Sequence, residues 1–408
     1  MTETAVPYLL FSLSSILFLA IFLGKVFSYF GQPRVVGEIA AGLLLGGSLL
    51  GHIYPNVYIF FFDSFPNQKD YLSIFYWFGL ILLMFIAGFK VPQKLNLNDS
   101  KIVVLLVLGG TLLPLSFGFV MSNLIQAHMG IMASHLSFSV IVSVACAVTS
   151  IPVLTSIFSE LNILETSFVK RILTSAAIQD LFLWAILSVF MVDSTNAQNS
   201  WISINIILNV VVTISFTLFA IKIIPKFLKL ISYRLKWLTE PALSFTLIIC
   251  FVVTGLASLI KINIVFSALV AGLIVGSFKS EKMTKVKVLI TDFSLCFFIP
   301  IYFGLVGMSI NLHNDLNLNL ILGFLLITSF VKIVSNMIFL SFAGFNMISS
   351  FDYALTMNAR GGPGIVLASM AYKLNYVDAE LFVALVLTSI ATSLFTGVWL
   401  KLRKKELI

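Results

Sequence analysis

Asp180 stands in the run TSAAIQDLFLWAIL, residues 174 to 187, which is otherwise apolar enough to cross a bilayer. An ionised Asp at the centre of a membrane helix costs about 2.5 to 3.5 kcal/mol to insert, so its presence calls for a use. A carboxylate at that depth with some access to water exchanges protons. It can hold a proton or a metal cation, but not both at once, and competition for one site gives exchange. Gln179, its neighbour, offers an amide oxygen of the kind that replaces water around an alkali cation. Lys332, in ITSFVKIVSNMIF, is also near the middle of its segment and is the natural buried partner for Asp180. A purely structural ion pair between two helices is the alternative use of the same two residues.

Two further stretches interrupt helices where a membrane helix should be continuous. SVIVSVACAVTSIPVLTSIF carries Thr149, Ser150 and Pro152 at its centre, and YALTMNARGGPGIVLASMAY carries Asn358, Arg360, Gly361, Gly362, Pro363 and Gly364 in its first half. Proline lacks a backbone donor and glycine loosens a helix. Unwound backbone at membrane depth is tolerated only inside protein or against a wet cavity. Each stretch alone reads as an ordinary proline kink. As a pair they point to a binding site near the bilayer midplane. Arg360 cannot deprotonate, and the expected role for it is structural, capping carbonyls freed at the break.

These residues sit in a chain of 408 residues, 59% hydrophobic and 10% charged, with a mean hydropathy of +1.07. That composition excludes a soluble globular protein. A hydrocarbon core of about 30 Å needs roughly 20 apolar residues per helix, and thirteen such segments are expected, giving an all-α polytopic membrane protein with a single integral transport domain over residues 1–408. The first segment follows MTETAVP, which has an acid and no base, so a retained helix is expected rather than a cleaved signal. Cys146, Cys250 and Cys296 fall inside segments without CxxC spacing, which suits packing better than disulfide or metal chemistry.

The net charge of +8 reflects topology. Basic residues favour the cytoplasmic side of short loops. If the C-terminal KLRKKELI is cytoplasmic, twenty of the 25 Lys and Arg residues fall on the inward side, among them Lys25, Arg34, Lys90, Lys94, Lys101, Lys170, Arg171, Lys229, Arg234, Lys236 and Lys287. Lys69, Lys261 and Lys373 fall outward. The N-terminus is then outside, the location is the cell (inner) membrane, and nucleic acid is not an expected partner.

An internal repeat emerges at an offset of seven segments. AGLLLGGS, from Ala41, recurs as AGLIVGSF, from Ala271; FIAGFKV, ending the third segment, matches GLVGMSI, ending the tenth. The interrupted segments are the fifth and twelfth, again seven apart. An odd offset means that matching helices run in opposite directions, so two inverted repeats with crossed, broken helices 5 and 12 are expected. Among the remaining charges, Glu38 suits the first turn of the second helix and Asp292 reads as interfacial. His52, His128, His135 and His313 fall in or beside outward loops, where solvated side chains are commoner than pH sensors. GxxxxGK, CxxC, HExxH and GxSxG motifs are all missing. No enzyme activity and no cofactor is expected, and the energy for transport must come from a gradient.

VVGEIAAGLLLGGSLLG, AVTSIPVLTSIFSELNIL, AAIQDLFLWAIL and MNARGGPGIVLA together resemble the monovalent cation:proton antiporter-2 family, from the second helix to the thirteenth. The resemblance implies a homodimer in which a core of about residues 101–192 and 317–400 moves against dimerisation helices of about 7–90 and 201–310. It implies that Asp180 binds a monovalent cation and a proton alternately, that Lys332 takes the place of the family's core lysine or arginine, and that Thr149 and Ser150 stand at the crossing of the broken helices. Gln179 followed by Asp180 is similar to the glutathione-gated potassium efflux antiporters, which favours potassium over sodium. Those proteins carry a nucleotide-binding domain after the membrane helices, which this sequence does not show, so gating by one would need a separate subunit. Pro363 and Gly364 stand where relatives often have an acid or a larger residue. The expected function is antiport, electroneutral or weakly electrogenic. Two alternatives remain open at this point: a proton-coupled carrier of a small organic solute, and a non-transporting membrane sensor or partner subunit.

Overall fold

The computed structural model describes residues 3–89, 99–129, 135–190, 202–228 and 242–407. The inward-reading residues Lys90, Lys94, Lys229, Arg234 and Lys236, and the segment ends at 90, 192 and 201, lie outside them. The described residues are helical: α1 (Val6–Tyr29), α2 (Arg34–Leu45), α3 (Gln68–Phe89), α4 (Ser100–Met129), α5 (His135–Ala147), α6 (Ile151–Glu160), α7 (Ser167–Phe190), α8 (Ile202–Lys222), α9 (Ala242–Leu259), α10 (Ile264–Gly276), α11 (Glu281–Cys296), α12 (Phe298–Met308), α13 (Leu318–Ser341), α14 (Met347–Met357), α15 (Gly361–Lys373) and α16 (Ala379–Leu407). Two short helices, Leu50–Ile53 and Pro55–Phe62, lie between α2 and α3.

Thirteen crossings were expected. Eleven helical segments among the described residues are long and apolar enough to span a membrane. Of the two other expected segments, one is the 13-residue α10 and one is the pair α14 and α15, parted at Asn358. Helix starts follow local chemistry. Asn263, Asn317 and Asn346 each accept from an N–H of the first turn of α10, α13 and α14, satisfying donors that have no partner within the helix.

The packing explains why the sequence repeats AGLxxG. α2 crosses α12, and α3 crosses α10, with backbone against backbone. A methyl group added at Gly42 would meet Gly304 O at 1.9 Å and Gly307 Cα at 2.8 Å; one added at Gly272 would meet Phe85 O at 2.1 Å and Gly88 Cα at 2.9 Å. The partners repeat the pattern. Gly307 would strike Ile39 O at 2.2 Å and Gly88 would strike Leu269 O at 2.3 Å. Each glycine meets the carbonyl three residues before its partner glycine, so the two crossings are built on one rule, as an internal repeat requires. Close approach of this kind is how helices gain van der Waals contact where lipid offers no hydrophobic drive.

A second group of helices, α4 to α7 and α13 to α16, packs around the two breaks. At the end of the bundle rich in Lys and Arg, Arg171 pairs with Asp99 at 2.6 Å and donates to Tyr353 at 3.2 Å, and Arg403 pairs with the buried Asp352 at 3.1 Å, an acid that Trp399 also contacts at 2.9 Å. Glu38 departs from expectation. α2 starts at Arg34, so Glu38 lies past the first turn; its side chain is buried and its Oε2 has no hydrogen-bond partner. Asp292 lies well inside α11 rather than at its start, and is exposed. Cys146 and Cys250 are buried as expected of packing residues, whereas Cys296 is exposed at the end of α11.

Gly42→Ala and Gly272→Ala should each lower the thermal unfolding midpoint in detergent, since overpacking costs about 1 to 3 kcal/mol. Gly323→Ala, at a helix position with nothing within 4 Å, should leave it unchanged or raise it slightly. Equal midpoints for all three variants would show that the crossings tolerate a side chain.

Candidate functional site

The two breaks meet. Between α5 and α6 the chain is extended at Ser150, and Ser150 N donates to Ala359 O at 2.7 Å, joining the gap between α14 and α15. Pro152 lies in the first turn of α6 and Pro363 in the first turn of α15. There a missing N–H removes no internal hydrogen bond. The prolines therefore start the second half-helices rather than kink a continuous one. Ser150 Oγ caps α6 through Val153 N at 3.4 Å. Gly361 has a φ of +34°, and a side chain there would strike Ser150 Oγ at 2.6 Å, so this residue allows both the turn and the crossing. Its N–H donates to Ser393 Oγ and that of Arg360 to Thr392 Oγ1, on α16. Gly362 follows in the buried first turn of α15.

The carbonyls left open at the end of α5 are taken by Lys332. Its Nζ, fully buried, donates to Ala147 O at 2.7 Å, Val148 O at 2.7 Å and Thr149 Oγ1 at 2.9 Å. An ammonium has three N–H groups, and all three are used. The expected direct ion pair with Asp180 is not among the ion pairs of the described residues: the lysine caps a helix C-terminus, where carbonyls carry negative partial charge. Asp180 and Lys332 still lie close enough to interact through space.

Arg360 does not cap the break. Its Nη2 donates to Thr328 Oγ1 at 2.7 Å, its guanidinium lies 5.8 Å from the centre of the Phe324 ring, and its Nε and Nη1 have no hydrogen-bond partner. The capping role expected of Arg360 thus belongs to Lys332, because the carbonyls freed in the second break face hydroxyl and amide donors of the first. Ala359 O is taken by Ser150 N, and Met357 O lies 2.8 Å from Thr149 Oγ1.

Asp180 and Gln179 lie on α7 beside this crossing. Asp180 is 4% exposed and its Oδ1 has no hydrogen-bond partner. Gln179 Oε1 sits 2.6 Å from the Thr149 hydroxyl, and its Nε2 has no partner and lies where a side chain on Gly110 would intrude, at 2.4 Å. Thr149 is the hub. Its hydroxyl accepts from Lys332 and has a single proton for either Gln179 Oε1 or Met357 O. A buried carboxylate oxygen without a donor is costly to leave so, and a proton or a cation would relieve it. No group of three or more His, Cys, Asp and Glu side chains suited to a metal is found among the described residues. Cation coordination here would rest on Asp180 with hydroxyl, amide and carbonyl oxygens, an all-oxygen set that suits hard cations.

The structure brings Asp180, Gln179, Thr149, Ser150 and Lys332 to one crossing. Reading the sequence passed over Thr328, which holds Arg360, and Asn336, one turn after Lys332, whose Oδ1 is buried and unpartnered. Helical spacing from Lys332 would have pointed to both, since residues three or four apart share a face. His52 and His313, read as separate loop residues, have their ring centres 4.4 Å apart.

Lys332→Gln should lower the unfolding midpoint by a few degrees, because a side-chain amide cannot serve all three oxygens and buried acceptors left open cost about 1 to 3 kcal/mol each. Thr149→Ser should keep the wild-type midpoint and Thr149→Val should not. The midpoints are measured in detergent by differential scanning fluorimetry.

Comparison with known proteins places this geometry. The family profile Sodium/hydrogen exchanger, transmembrane matches residues 14–402. The chain is 25% identical over 390 residues to Na(+)/H(+) antiporter NhaS4 of Synechocystis sp., covering 93% of each. It is 25% identical over 410 residues to Cation/H(+) antiporter 17 of Arabidopsis thaliana, covering 97% of this chain and 48% of that protein, so it spans about half the length of this plant relative. The fold superposes on the sodium proton antiporter MjNhaP1 of Methanocaldococcus jannaschii with a TM-score of 0.64 at 15% identity, over 99% of this chain and 97% of the other.

Proposed function

Because the chain belongs to the sodium/hydrogen exchanger family, whose members are transporters and not enzymes, we propose that it exchanges a monovalent cation for protons, with the two taking turns on Asp180. One observation carries this reading: a mid-span carboxylate with an unpartnered oxygen lies beside two helix breaks whose carbonyls and hydroxyls face inward. Protonation neutralises the carboxylate; a cation that displaces the proton neutralises it equally, and neither need be present with the other. Antiport follows from that exclusion.

Potassium is the favoured cation. Gln179 before Asp180 supports it. Lys332 serves as a resident charge that keeps the crossing closed while Asp180 is empty.

In this reading α4 to α7 and α13 to α16, about residues 101–192 and 317–400, are a core that moves against a dimerisation frame of about 7–90 and 201–310, in a homodimer. The bias of Lys and Arg puts the C-terminus in the cytoplasm and the N-terminus outside the cell (inner) membrane.

In everted vesicles with a pH-sensitive dye, added potassium should restore fluorescence for the wild type. Asp180→Asn should abolish the response at unchanged expression; a response equal to wild type removes Asp180 from the mechanism. Across sodium, lithium, potassium and rubidium, the lowest half-saturating concentration should belong to potassium, and a clear preference for sodium or lithium would overturn that assignment.

A further inference from the structure

We propose that Lys373 and the Tyr76–Ser369–Tyr302 hydroxyl cluster form a latch that holds the outer side of the exchange pathway shut, and that they are positioning residues setting the apparent affinity for external cation. α15 runs from the break at Arg360 to Lys373, away from the end rich in Lys and Arg. Along one face of it, Ser369 and Lys373 stand one turn apart and reach helices of the other group. Tyr76, on α3, donates to Ser369 Oγ at 3.0 Å; Tyr302, on α12, lies 2.8 Å from the same oxygen. Ser369 in turn donates to Val366 O at 3.1 Å. A hydroxyl has one proton and two lone pairs, so this buried oxygen is filled when both tyrosines donate to it.

Lys373 completes the contact. Its ammonium donates to Ser73 on α3 and lies 4.2 Å from the centre of the Tyr76 ring and 5.4 Å from that of Trp77. A cation at these distances from ring faces is attracted to them. Two more polar contacts cross at this end: Asn263, which caps α10, reaches Met370 Sδ at 3.5 Å, and its N–H donates to Ser188 Oγ of α7 at 3.0 Å. Beyond the crossing, toward the basic end, Leu273 of α10 meets Ile151, Ala176 and Ala177 through apolar contact. Apolar surfaces can slide past one another, whereas hydroxyl pairs and a parked ammonium must be broken. The two sides of Asp180 are therefore held by different forces.

A cavity of about 500 Å3 lies against the latch, lined by Lys373, Ser369, Tyr76 and Val306 among others. It straddles α3, α12 and α15, the helices that must part for the site to open outward. Loosening the latch raises the fraction of molecules open on that side, and apparent affinity scales with that fraction.

The inference rests on the antiport reading for its sidedness, and two arms separate the failure of each. In right-side-out vesicles, Lys373→Met should lower the KM for external cation about two- to fivefold, the scale of one exposed cation–π contact. In everted vesicles the same variant should show no fall in KM, and Lys373→Arg, which keeps the charge over the rings, should behave as wild type on both sides. A parallel change of both KM values, or none, would overturn the latch. The second arm needs no transport. In a Cys296→Ser background, Val306→Cys in the cavity should react faster with a membrane-impermeant maleimide when Lys373→Met is added, and not when Lys373→Arg is added. Equal rates for all three would likewise overturn it, whereas faster labelling in a protein that moves no cation would leave the latch standing and sink the antiport reading.

Discussion

A helix that stops in the middle of a bilayer leaves carbonyls with no partner, and neither lipid nor water is there to satisfy them. This fold is organised around that demand. Lys332 answers it at the end of α5 with two of its three N–H groups, the third going to the Thr149 hydroxyl, and Ser150 answers it for Ala359 across the crossing. Once the lysine is committed to carbonyls, Asp180 is left without a direct cation. The open oxygen of this buried acid is thus a by-product of how the break is capped.

The two basic side chains in this region do different work for a geometric reason. Arg360 sits at the entry to α15 with its side chain directed to Thr328 and Phe324 on α13, away from the carbonyls of either break. Lys332 enters from α13 toward the end of α5. A flexible stem tipped by a compact ammonium can seat among three oxygens that point to one spot, whereas a planar guanidinium cannot.

Much of this was legible in the sequence, and the limits are physical. A mid-span Asp and Lys, and two interruptions at one repeat offset, are visible because membrane helices exclude such residues. The matched AGLxxG stretches marked the sites of close approach, although which helix met which required coordinates. Lys332 caps the carbonyls expected of Arg360, and Arg360 reaches Thr328 instead, since spacing along a helix gives the face of a side chain but not the direction of a long stem. Two of the thirteen expected segments, α10 and the broken pair α14 and α15, are the ones a length criterion leaves out of the eleven long spans among the described residues. Glu38 was read as a first-turn acid suited to the helix dipole, whereas it lies past that turn and is buried, because the position of an acid along an apolar helix does not show which face packs inward. Tyr76, Tyr302 and Ser369 carried no signal, as aromatic and small residues are ordinary in an apolar helix.

The glycine crossings of α2 with α12 and of α3 with α10 have a mechanical consequence. Where main chains touch directly, there are no rotamers to reshuffle and no side-chain gaps to close, so such joints yield only by bending the helices themselves. The frame behaves as a stiff truss with its compliance removed at four points. Displacement within the molecule is thereby channelled into contacts made by side chains, which are softer and can be remade, and the stroke of any moving part is measured against a reference that does not give.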